Sequence, residues 1–276
     1  MKVKIRIGNE VKEYTGAWED HTLLEVFQEL GITQVHAPCG GNGTCKKCLV
    51  TVEGLGEVLS CQTQCKDGMC VTVAEEQKSA IAENGNCYLY PADAGEGLLA
   101  ACDIGTTTVV CHLLDGATGV RLCTVSAPNA QRSFGADVIS RIQASVDSGL
   151  DKLQSAIVDQ INGMLVQLKQ KAGRTEDIRR LAVAGNTVMS HLFCGLSPES
   201  IGVAPFTPLS LFGESYDAKQ IGIEGCETVY VVPSIAGYVG GDIVADLAAV
   251  QMHSSVLAED GEKETLMLDI GTNGEM

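Results

Sequence analysis

Four cysteines near the start of the chain place the strongest constraint on what it can fold into. They are Cys39, Cys45, Cys48 and Cys61, at the spacing C-x5-C-x2-C-x12-C. The first three lie in the run Cys39-Gly-Gly-Asn-Gly-Thr-Cys45-Lys-Lys-Cys48, which contains three glycines. Because glycine adopts positive φ at little steric cost, such a loop can bend tightly and turn its N–H groups and sulfurs toward one point. The sequence therefore predicts a loop built around an object that thiolates can bind.

The spacing of these cysteines indicates a [2Fe–2S] cluster. Iron–sulfur clusters are bound by four thiolates, and the plant-type spacing C-x4-C-x2-C…C differs from this one by a single residue. Zinc sites favour two short pairs such as C-x2-C, which the first gap and the distant Cys61 do not supply. A disulfide loop needs an oxidising compartment, and the first residues of the chain show no signal peptide. We therefore predict Cys39, Cys45, Cys48 and Cys61 as the cluster ligands.

Three residues near this loop leave alternatives open. Cys65 and Cys70 form a second redox or metal pair, supply a substitute fourth ligand, or are free thiols in a turn. We favour free thiols because no further partners lie nearby in sequence, and Cys61 because it follows the strand-like run 58–60. His36 is interpreted as a loop residue, since a Rieske centre needs two histidines and this stretch has one.

The composition excludes several classes of function. The chain of 276 residues has a formal net charge of -16, which disfavours binding to nucleic acid and to anionic membrane surfaces. No apolar run reaches the roughly 18 residues that a membrane span needs. The charge suits either solubility alone or docking to basic redox partners. We expect a cytoplasmic protein whose twelve cysteines are reduced or metal-bound.

The hydrophobic pattern divides the chain into two domains. Strands over 2–7, 11–14, 48–52 and 71–73, with a helix that begins after Thr22, predict an α+β β-grasp domain over residues 1–76. The polar, glycine-rich residues 77–97 predict a linker. Residues 98–276 predict an α/β domain with helices over 138–145, 150–171, 188–193 and 242–250, strands over 179–183 and 230–232, and two apolar strands that flank the segment 103–108.

Two similar loops in the second domain predict a phosphate-binding site. Asp103-Ile-Gly105-Thr106-Thr107-Thr108 follows an apolar strand, and Asp269-Ile-Gly271-Thr272-Asn273-Gly274 repeats the pattern far downstream. An aspartate at a strand end can hold Mg²⁺ through waters. Glycine lets the backbone approach a phosphate, whose oxygens accept hydrogen bonds from threonine hydroxyls and loop N–H groups. Two such loops that face each other would bind the phosphates of a nucleotide, and two ordinary strand turns are the alternative.

Other polar residues of this domain have two interpretations each. Asn186 and Thr187 follow a strand, so they either contact a ligand or cap the next helix. Asp242 is read as an N-cap or as a residue near the Mg²⁺ of a nucleotide. His112, His191 and His253 are expected to be structural or exposed. The scattered cysteines are expected to be small core residues, and these are Cys87, Cys102, Cys111, Cys123, Cys194 and Cys226.

Several of these segments together resemble one known family. The run from Cys39 to Cys48, with Leu59-Ser-Cys61-Gln-Thr, resembles the N-terminal [2Fe–2S] domain of reductive activators of corrinoid proteins. The second domain resembles that family's C-terminal domain, which belongs to the superfamily of actin, sugar kinases and Hsp70 chaperones and has a ribonuclease H-like fold. The segments concerned are Asp103-Ile-Gly-Thr-Thr-Thr, Asn129-Ala-Gln-Arg-Ser-Phe-Gly-Ala-Asp137, Gly185-Asn-Thr-Val-Met-Ser-His191 and Asp269-Ile-Gly-Thr-Asn-Gly274.

The resemblance implies an ATP-dependent redox activator. Such a protein takes an electron from a low-potential donor and passes it to a corrinoid protein whose cobalt has drifted to Co(II), which restores Co(I). ATP binding or hydrolysis, with Mg²⁺, would drive a conformational change that assists the transfer. No residue stands out as the catalytic base for ATP hydrolysis, and a homodimer is left open.

Two departures from the family pattern bear on these expectations. The linker is shorter than in many such activators, and the sequence reaches Met276 directly after the second loop. We therefore expect a truncated form with an unfinished second half and an incomplete nucleotide site. Two other functions remain open, namely a simple [2Fe–2S] ferredoxin whose second domain docks a partner, and a kinase-like phosphotransferase in which the cluster is a sensor.

Overall fold

The computed structural model divides the chain into two compact units. The first comprises Met1–Ile81 and Ala130–Gly149, and the second comprises Ala82–Asn129 and Leu150–Met276. The structure describes residues 1–8, 10–32, 34–35, 37, 41–44, 46–74, 95–252, 269–270 and 274–275. The predicted boundary at 77–97 stays a prediction, because most of that range lies outside the described residues.

The first unit contains a β-grasp fold, as the sequence predicted. Its elements are β1 (Lys2–Ile7), β2 (Glu10–Thr15), α1 (Leu23–Glu29), β3 (Leu49–Val52), β4 (Gly56–Leu59) and β5 (Met69–Val73). The sheet order is β2-β1-β5-β3-β4, in which β1 and β5 are parallel and the other neighbours are antiparallel. Apolar residues of α1, including Leu23, Val26 and Phe27, share one core with the inward-facing strand residues Val3, Ile5 and Val71.

The start of α1 is fixed by its cap and by the segment that follows β4. Thr22 and Glu25 form a capping box, in which each side chain accepts a hydrogen bond from the other residue's backbone N–H. The N–H of Leu23 donates to Thr63 O at 2.8 Å, and the N–H of Cys65 donates to His21 O at 2.8 Å. The helix therefore holds the 60–65 segment in place, which matters because this segment contains Cys61.

The rest of the first unit is a short helical segment. It contains a 3₁₀ turn (Ala130–Ser133), α2 (Val138–Ala144) and a π-helical turn (Ser145–Gly149). Asp137 caps α2 by accepting a hydrogen bond from the N–H of Ser140 at 2.7 Å. The predicted helix over 138–145 is confirmed to within one residue.

The second unit has a six-stranded mixed sheet with helices. Its elements are β6 (Leu98–Ile104), β7 (Thr108–Asp115), β8 (Arg121–Pro128), α3 (Leu150–Ala172), β9 (Ile178–Gly185), α4 (Thr187–Phe193), β10 (Ser215–Asp217), α5 (Ala218–Ile221), β11 (Cys226–Val231), α6 (Gly241–Met252), β12 (Asp269–Ile270) and β13 (Gly274–Glu275). The sheet order is β10-β11-β9-β6-β7-β8, with β6, β9 and β11 parallel. The short strands β12 and β13 form a separate antiparallel pair among the described residues. The predicted α/β actin-like fold is confirmed.

Helix α3 supplies much of the core of the second unit. Its residues Leu153, Ile157, Ile161, Leu165 and Leu168 are buried at the predicted spacing of three and four. Its other face is polar, and none of the described helices is long and apolar enough to cross a membrane. The helix packs against β7, β8 and α4.

Of the described cysteines of this unit, Cys102 and Cys111 are core residues, as expected, whereas three others are only half-buried. Cys102 on β6 lies directly opposite Cys111 on β7, and their sulfurs are 2.7 Å apart in a fully buried position. Burial raises the pKa of Cys102 well above its usual value, and the Cys111 thiol adds to this shift. Cys123, Cys194 and Cys226 are half-buried, and Cys87 lies outside the described residues.

Several elements differ from the sequence prediction, among them β4, which was predicted only as the strand-like run 58–60. Strand β8 was not predicted, because half-buried positions along it blur the alternation that marks a strand. Strand β10 and helix α5 are three and four residues long, too short to give a periodic pattern. Asp242 lies in the first turn of α6, which begins at Gly241, so its prediction as the N-cap was wrong.

His191 has a structural role in the second unit. Its Nδ1–H donates to Thr187 O at 2.7 Å, and its Nε2 accepts from the N–H groups of Leu209 at 3.1 Å and Ser210 at 3.4 Å. The buried ring thereby ties α4 to the irregular, proline-rich stretch 198–213. Burial lowers the pKa of His191, and the hydrogen bond to Thr187 partly opposes this shift.

We predict that His191 makes the second unit sensitive to acid. Because its folded pKa lies below the usual value of about 6.5, its contribution is present above pH 6.5 and is lost as the pH falls through the folded pKa. His191→Gln should cost about 1–2 kcal/mol at pH 7.5, since the two N–H groups lose their acceptor. It should also flatten the fall in stability between pH 6.5 and 5.

The measurement is urea denaturation followed by circular dichroism at several pH values. The fluorescence of Trp18, the single tryptophan, reports the first unit and should show the same transition in wild type and variant. His112, whose pKa burial also lowers, is present in both proteins and cancels in the comparison. An unchanged pH dependence in the variant would contradict the prediction.

Candidate functional site

Two of the four predicted cluster ligands are brought together by a strand pair. Cys48 directly precedes β3, and Cys61 lies in the 3₁₀ turn Ser60–Gln62 that follows β4. Leu49 pairs with Leu59 at the end of the antiparallel β3–β4 ladder, and the N–H of Ser60 donates to Cys48 O at 3.0 Å. As a result, the sulfurs of Cys48 and Cys61 are 3.3 Å apart, and both side chains are buried.

The described part of the glycine loop lies against Cys61. Gly41 and Gly43 have φ values of 86° and 74°, the left-handed region that glycine adopts without strain. A Cβ atom on Gly41 would lie 3.8 Å from the Cβ of Cys61, so the loop approaches this cysteine closely. Cys39 and Cys45 lie outside the described residues. The four-cysteine ligand set therefore stays a prediction, of which the structure describes Cys48 and Cys61.

Hydrogen-bond donors surround the sulfur of Cys61. The backbone N–H of Gly43 donates to it, and Nε2 of Gln62 lies 3.8 Å from it. The same Nε2 donates to Gly41 O at 2.7 Å. Metal-bound thiolates are stabilised by such N–H donors, and the reduction potential of iron–sulfur clusters depends on them.

Burial raises the pKa of the Cys61 thiol to about 11, and the neighbouring Cys48 adds to the shift. Without metal, the Cys61 sulfur is therefore protonated at neutral pH. Because a thiolate is the form that binds iron, loading must release protons. Two adjacent buried sulfurs with N–H donors fit an iron–sulfur cluster. Coordination to iron would offset the free-energy cost of deprotonating these buried thiols.

Cys65 and Cys70 do not complete a metal site with this pair. Among the described residues, no group of three or more His, Cys, Asp or Glu side chains is placed to hold a metal ion. Cys65 is buried in the core that α1 shares with the sheet, and Cys70 lies half-buried on β5. His36 lies outside the described residues.

The first predicted phosphate loop is the tight turn between β6 and β7. Asp103 is exposed near the end of β6, Thr106 is buried, Thr107 is exposed, and Thr108 begins β7. A Cβ atom on Gly105 would lie 2.7 Å from Thr108 O, so a larger residue would not fit without a backbone shift.

Two asparagines fix the conformation of this turn. Asn129, fully buried after β8, donates from its N–H to Thr107 O at 2.9 Å and from its Nδ2 to Gly105 O at 2.8 Å. Asn186 donates from Nδ2 to Thr106 Oγ1 at 3.1 Å, while its Oδ1 caps α4 by accepting from Met189 N. Asn186 thus has the predicted cap role and also contacts the loop. The importance of Asn129 was missed, because only the fold brings it to Gly105.

The turns after three parallel strands meet at one edge of the sheet. β6 ends at Ile104, β9 at Gly185 and β11 at Val231, and ligands of α/β sheets commonly bind at the carboxyl ends of such strands. Thr187 Oγ1 donates to Ala236 O at 2.6 Å. A Cβ atom on Gly240 would lie 2.7 Å from Thr187 N. The glycine-rich segment before α6 therefore packs directly on the β9–α4 turn.

The second predicted phosphate loop is described only in part. The backbone of Asp269–Ile270 pairs with that of Gly274–Glu275, whereas Gly271, Thr272 and Asn273 lie outside the described residues. Whether Asp269, Gly271, Thr272, Asn273 and Gly274 face the first loop stays a prediction.

Comparison with known proteins identifies both parts of the chain. Residues 98–255 match the family described as RACo middle region. The chain belongs to the RACo family. Residues 5–76 match the 2Fe-2S iron-sulfur cluster binding domain, so the RACo middle region here follows an iron–sulfur domain. The predicted resemblance to reductive activators of corrinoid proteins is thereby confirmed.

Two relatives extend beyond the region that they share with this chain. The corrinoid activation enzyme RamQ of Eubacterium limosum is 30% identical, over 94% of this chain and 56% of RamQ. The solved structure of a reductive activator for corrinoid,iron-sulfur protein is 27% identical, with a TM-score of 0.58, over 99% of this chain and 60% of that one. This chain therefore spans a little over half the length of each.

We predict that Cys61, and not Cys65, is needed for the cluster of this RACo-family chain. After anaerobic reconstitution, Cys61→Ser should retain little iron and sulfide, because a buried serine hydroxyl is a poor substitute for the thiolate next to Cys48. Cys65→Ser is the matched control and should load as wild type does. The measurements are iron and sulfide analysis and visible absorbance. Equal loading of Cys61→Ser and wild type would contradict this ligand assignment.

Proposed function

We propose that this protein delivers single electrons to a corrinoid protein and returns its cobalt from Co(II) to Co(I). The observation that carries the proposal is the buried Cys48–Cys61 pair, in an iron–sulfur domain followed by a RACo middle region. The names of the relatives, a corrinoid activation enzyme and a reductive activator, support the same activity. A low-potential donor would supply the electron, which is consumed when Co(II) becomes Co(I).

The residues around the pair have separate tasks in this proposal. When bound, a [2Fe–2S] cluster supplies a one-electron redox couple. Cys48 and Cys61, with Cys39 and Cys45, would hold it as thiolates. Gly43 and Gln62 direct N–H groups at the Cys61 sulfur, and burial of both cysteines keeps water away. Gln62 itself is exposed, so the site lies just beneath the surface, where an electron can reach a partner.

We also propose that the β6–β7 turn binds the phosphates of ATP. Asp103 would hold Mg²⁺ through waters, and Gly105, Thr106, Thr107 and Thr108 would contact the phosphate oxygens. The support is the preorganised turn, held by Asn129 and Asn186 at the edge of the sheet where ligands commonly bind. Nucleotide binding would then bias the conformation from which the electron is transferred.

The partners follow from chemistry and charge. The net charge of -16 favours a donor and a corrinoid protein that present basic surfaces, because opposite charges speed encounter. A cytoplasmic location, where low-potential donors occur and thiols stay reduced, agrees with the many free cysteines. We include a homodimer in the proposal, and no contact among the described residues specifies its interface.

The test of electron delivery uses the reconstituted chain under anaerobic conditions. After chemical reduction, the chain should convert a Co(II) corrinoid protein to Co(I), seen as the change in the visible spectrum of the corrinoid. Cys61→Ser should lose this activity, and Cys65→Ser should retain it. A wild-type chain that carries a reducible cluster but reduces no corrinoid protein, with or without MgATP, would favour the simple ferredoxin.

The test of nucleotide binding is calorimetric titration with MgATP. We predict that Thr106→Val and Asp103→Asn weaken binding at least tenfold, because each removes a polar group from the turn. Thr175→Val is the control, since Thr175 is exposed before β9 at the opposite edge of the sheet. Equal affinity in all four proteins would contradict this site, and phosphate transfer to a small metabolite would favour the kinase-like alternative.

A further inference from the structure

Gln62 joins the two parts of the cluster site that the fold brings together. Its Nε2 lies 3.8 Å from the sulfur of Cys61 and 2.7 Å from the carbonyl oxygen of Gly41. An amide nitrogen carries two hydrogens, so one donor group can serve both acceptors. The side chain also packs against the loop, because a Cβ atom on Gly43 would lie 3.3 Å from its Cγ.

We propose that Gln62 is a positioning residue that sets the reduction potential of the bound cluster. This inference rests on the proposed electron-transfer function and adds a residue that controls how strongly the protein reduces its partner. Gln62 does not ligate iron. It acts on the ligand Cys61 through an N–H···S hydrogen bond, and on the loop through the bond to Gly41.

The direction of the effect follows from electrostatics. Reduction adds one negative charge to the cluster and its thiolates, so a donor aimed at a sulfur stabilises the reduced state more than the oxidised state. Gln62 therefore raises the potential, and its loss should make the cluster harder to reduce. Gly43 also donates to the Cys61 sulfur, but its donor is backbone N–H, which side-chain replacement does not remove. Of these two donors, only the Gln62 amide can therefore be removed by a side-chain substitution.

Its place at the surface distinguishes Gln62 from buried ligands. The side chain is exposed, although the sulfur that it contacts is buried. A partner that docks over Gln62 would exclude water from this amide, and a hydrogen bond is electrostatically stronger in a drier environment. The potential of the cluster is therefore open to change on docking through this one side chain.

The experiment is an anaerobic redox titration of the reconstituted full chain, with the cluster followed by visible absorbance and electron paramagnetic resonance. Gln62→Leu should shift the one-electron equilibrium toward the oxidised state by about three- to tenfold, which is roughly 28–59 mV to more negative potential. Gln62→Ala should shift it in the same direction. Gln64→Leu is the matched control, since Gln64 is also exposed on the same segment, and it should titrate as wild type does.

The two variants separate the hydrogen bond from solvent access. Leucine shields the cluster from water and alanine exposes it, so a solvent effect would move their potentials in opposite directions, whereas loss of the N–H donor lowers both. Opposite shifts, or a Gln62→Leu potential equal to that of Gln64→Leu, would overturn the inference. If Gln62→Leu fails to load iron, Gln62→Ala alone decides between a lower and an unchanged or higher potential. A wild-type chain without a cluster would instead contradict the proposed function.

Discussion

The contact between the sulfurs of Cys48 and Cys61 depends on the register of one strand pair. Leu49 faces Leu59 across β3 and β4, and the next residues outward are Cys48 and Ser60. A shift of one residue in this register would turn every side chain of the strand to the other face. The register is fixed because Val50 and Val52 must enter the core of the first unit. Ordinary hydrophobic burial in the sheet thus places a chemically demanding pair of thiols 3.3 Å apart.

In the second unit, the β6–β7 turn is likewise positioned by ordinary packing and hydrogen bonds. Gly105 lies in a turn with no room for a side chain, and the turn is held from outside by Asn129 and Asn186. Asn186 uses one end of its amide to cap α4 and the other to bind Thr106. A movement of α4 would therefore displace Asn186 and change its hydrogen bond to Thr106. Through Asn186, the proposed phosphate site is therefore coupled to the position of helix α4 in its own unit.

Most of this architecture could be predicted from the sequence, because its longer helices and strands have regular patterns of apolar residues. The leucines and isoleucines of α3 repeat at helical spacing, and apolar residues at helical spacing follow Thr22, so both helices were predicted. Strand β8 could not be predicted because its burial does not alternate. Cys48 and Cys61 were predicted as cluster ligands from their spacing, and the structure brings their sulfurs together. No individual role was predicted for Asn129 or Gln62, although both lie in family-like segments, since a lone amide acquires a role only from partners distant in sequence, such as Gly105 and Gly41.

At the proposed cluster site, the side-chain amide of Gln62 both holds the loop and contacts a sulfur. The bond from Gln62 to Gly41 holds the loop, and the longer contact of the same nitrogen to the Cys61 sulfur affects charge. Without metal, burial favours the protonated thiol; with iron bound, the thiolate must be accommodated in the same dry surroundings. N–H donors resolve this conflict because they stabilise negative sulfur without admitting water. An electron-transfer site near a protein surface needs both properties, since a partner must approach closely while the charge stays controlled.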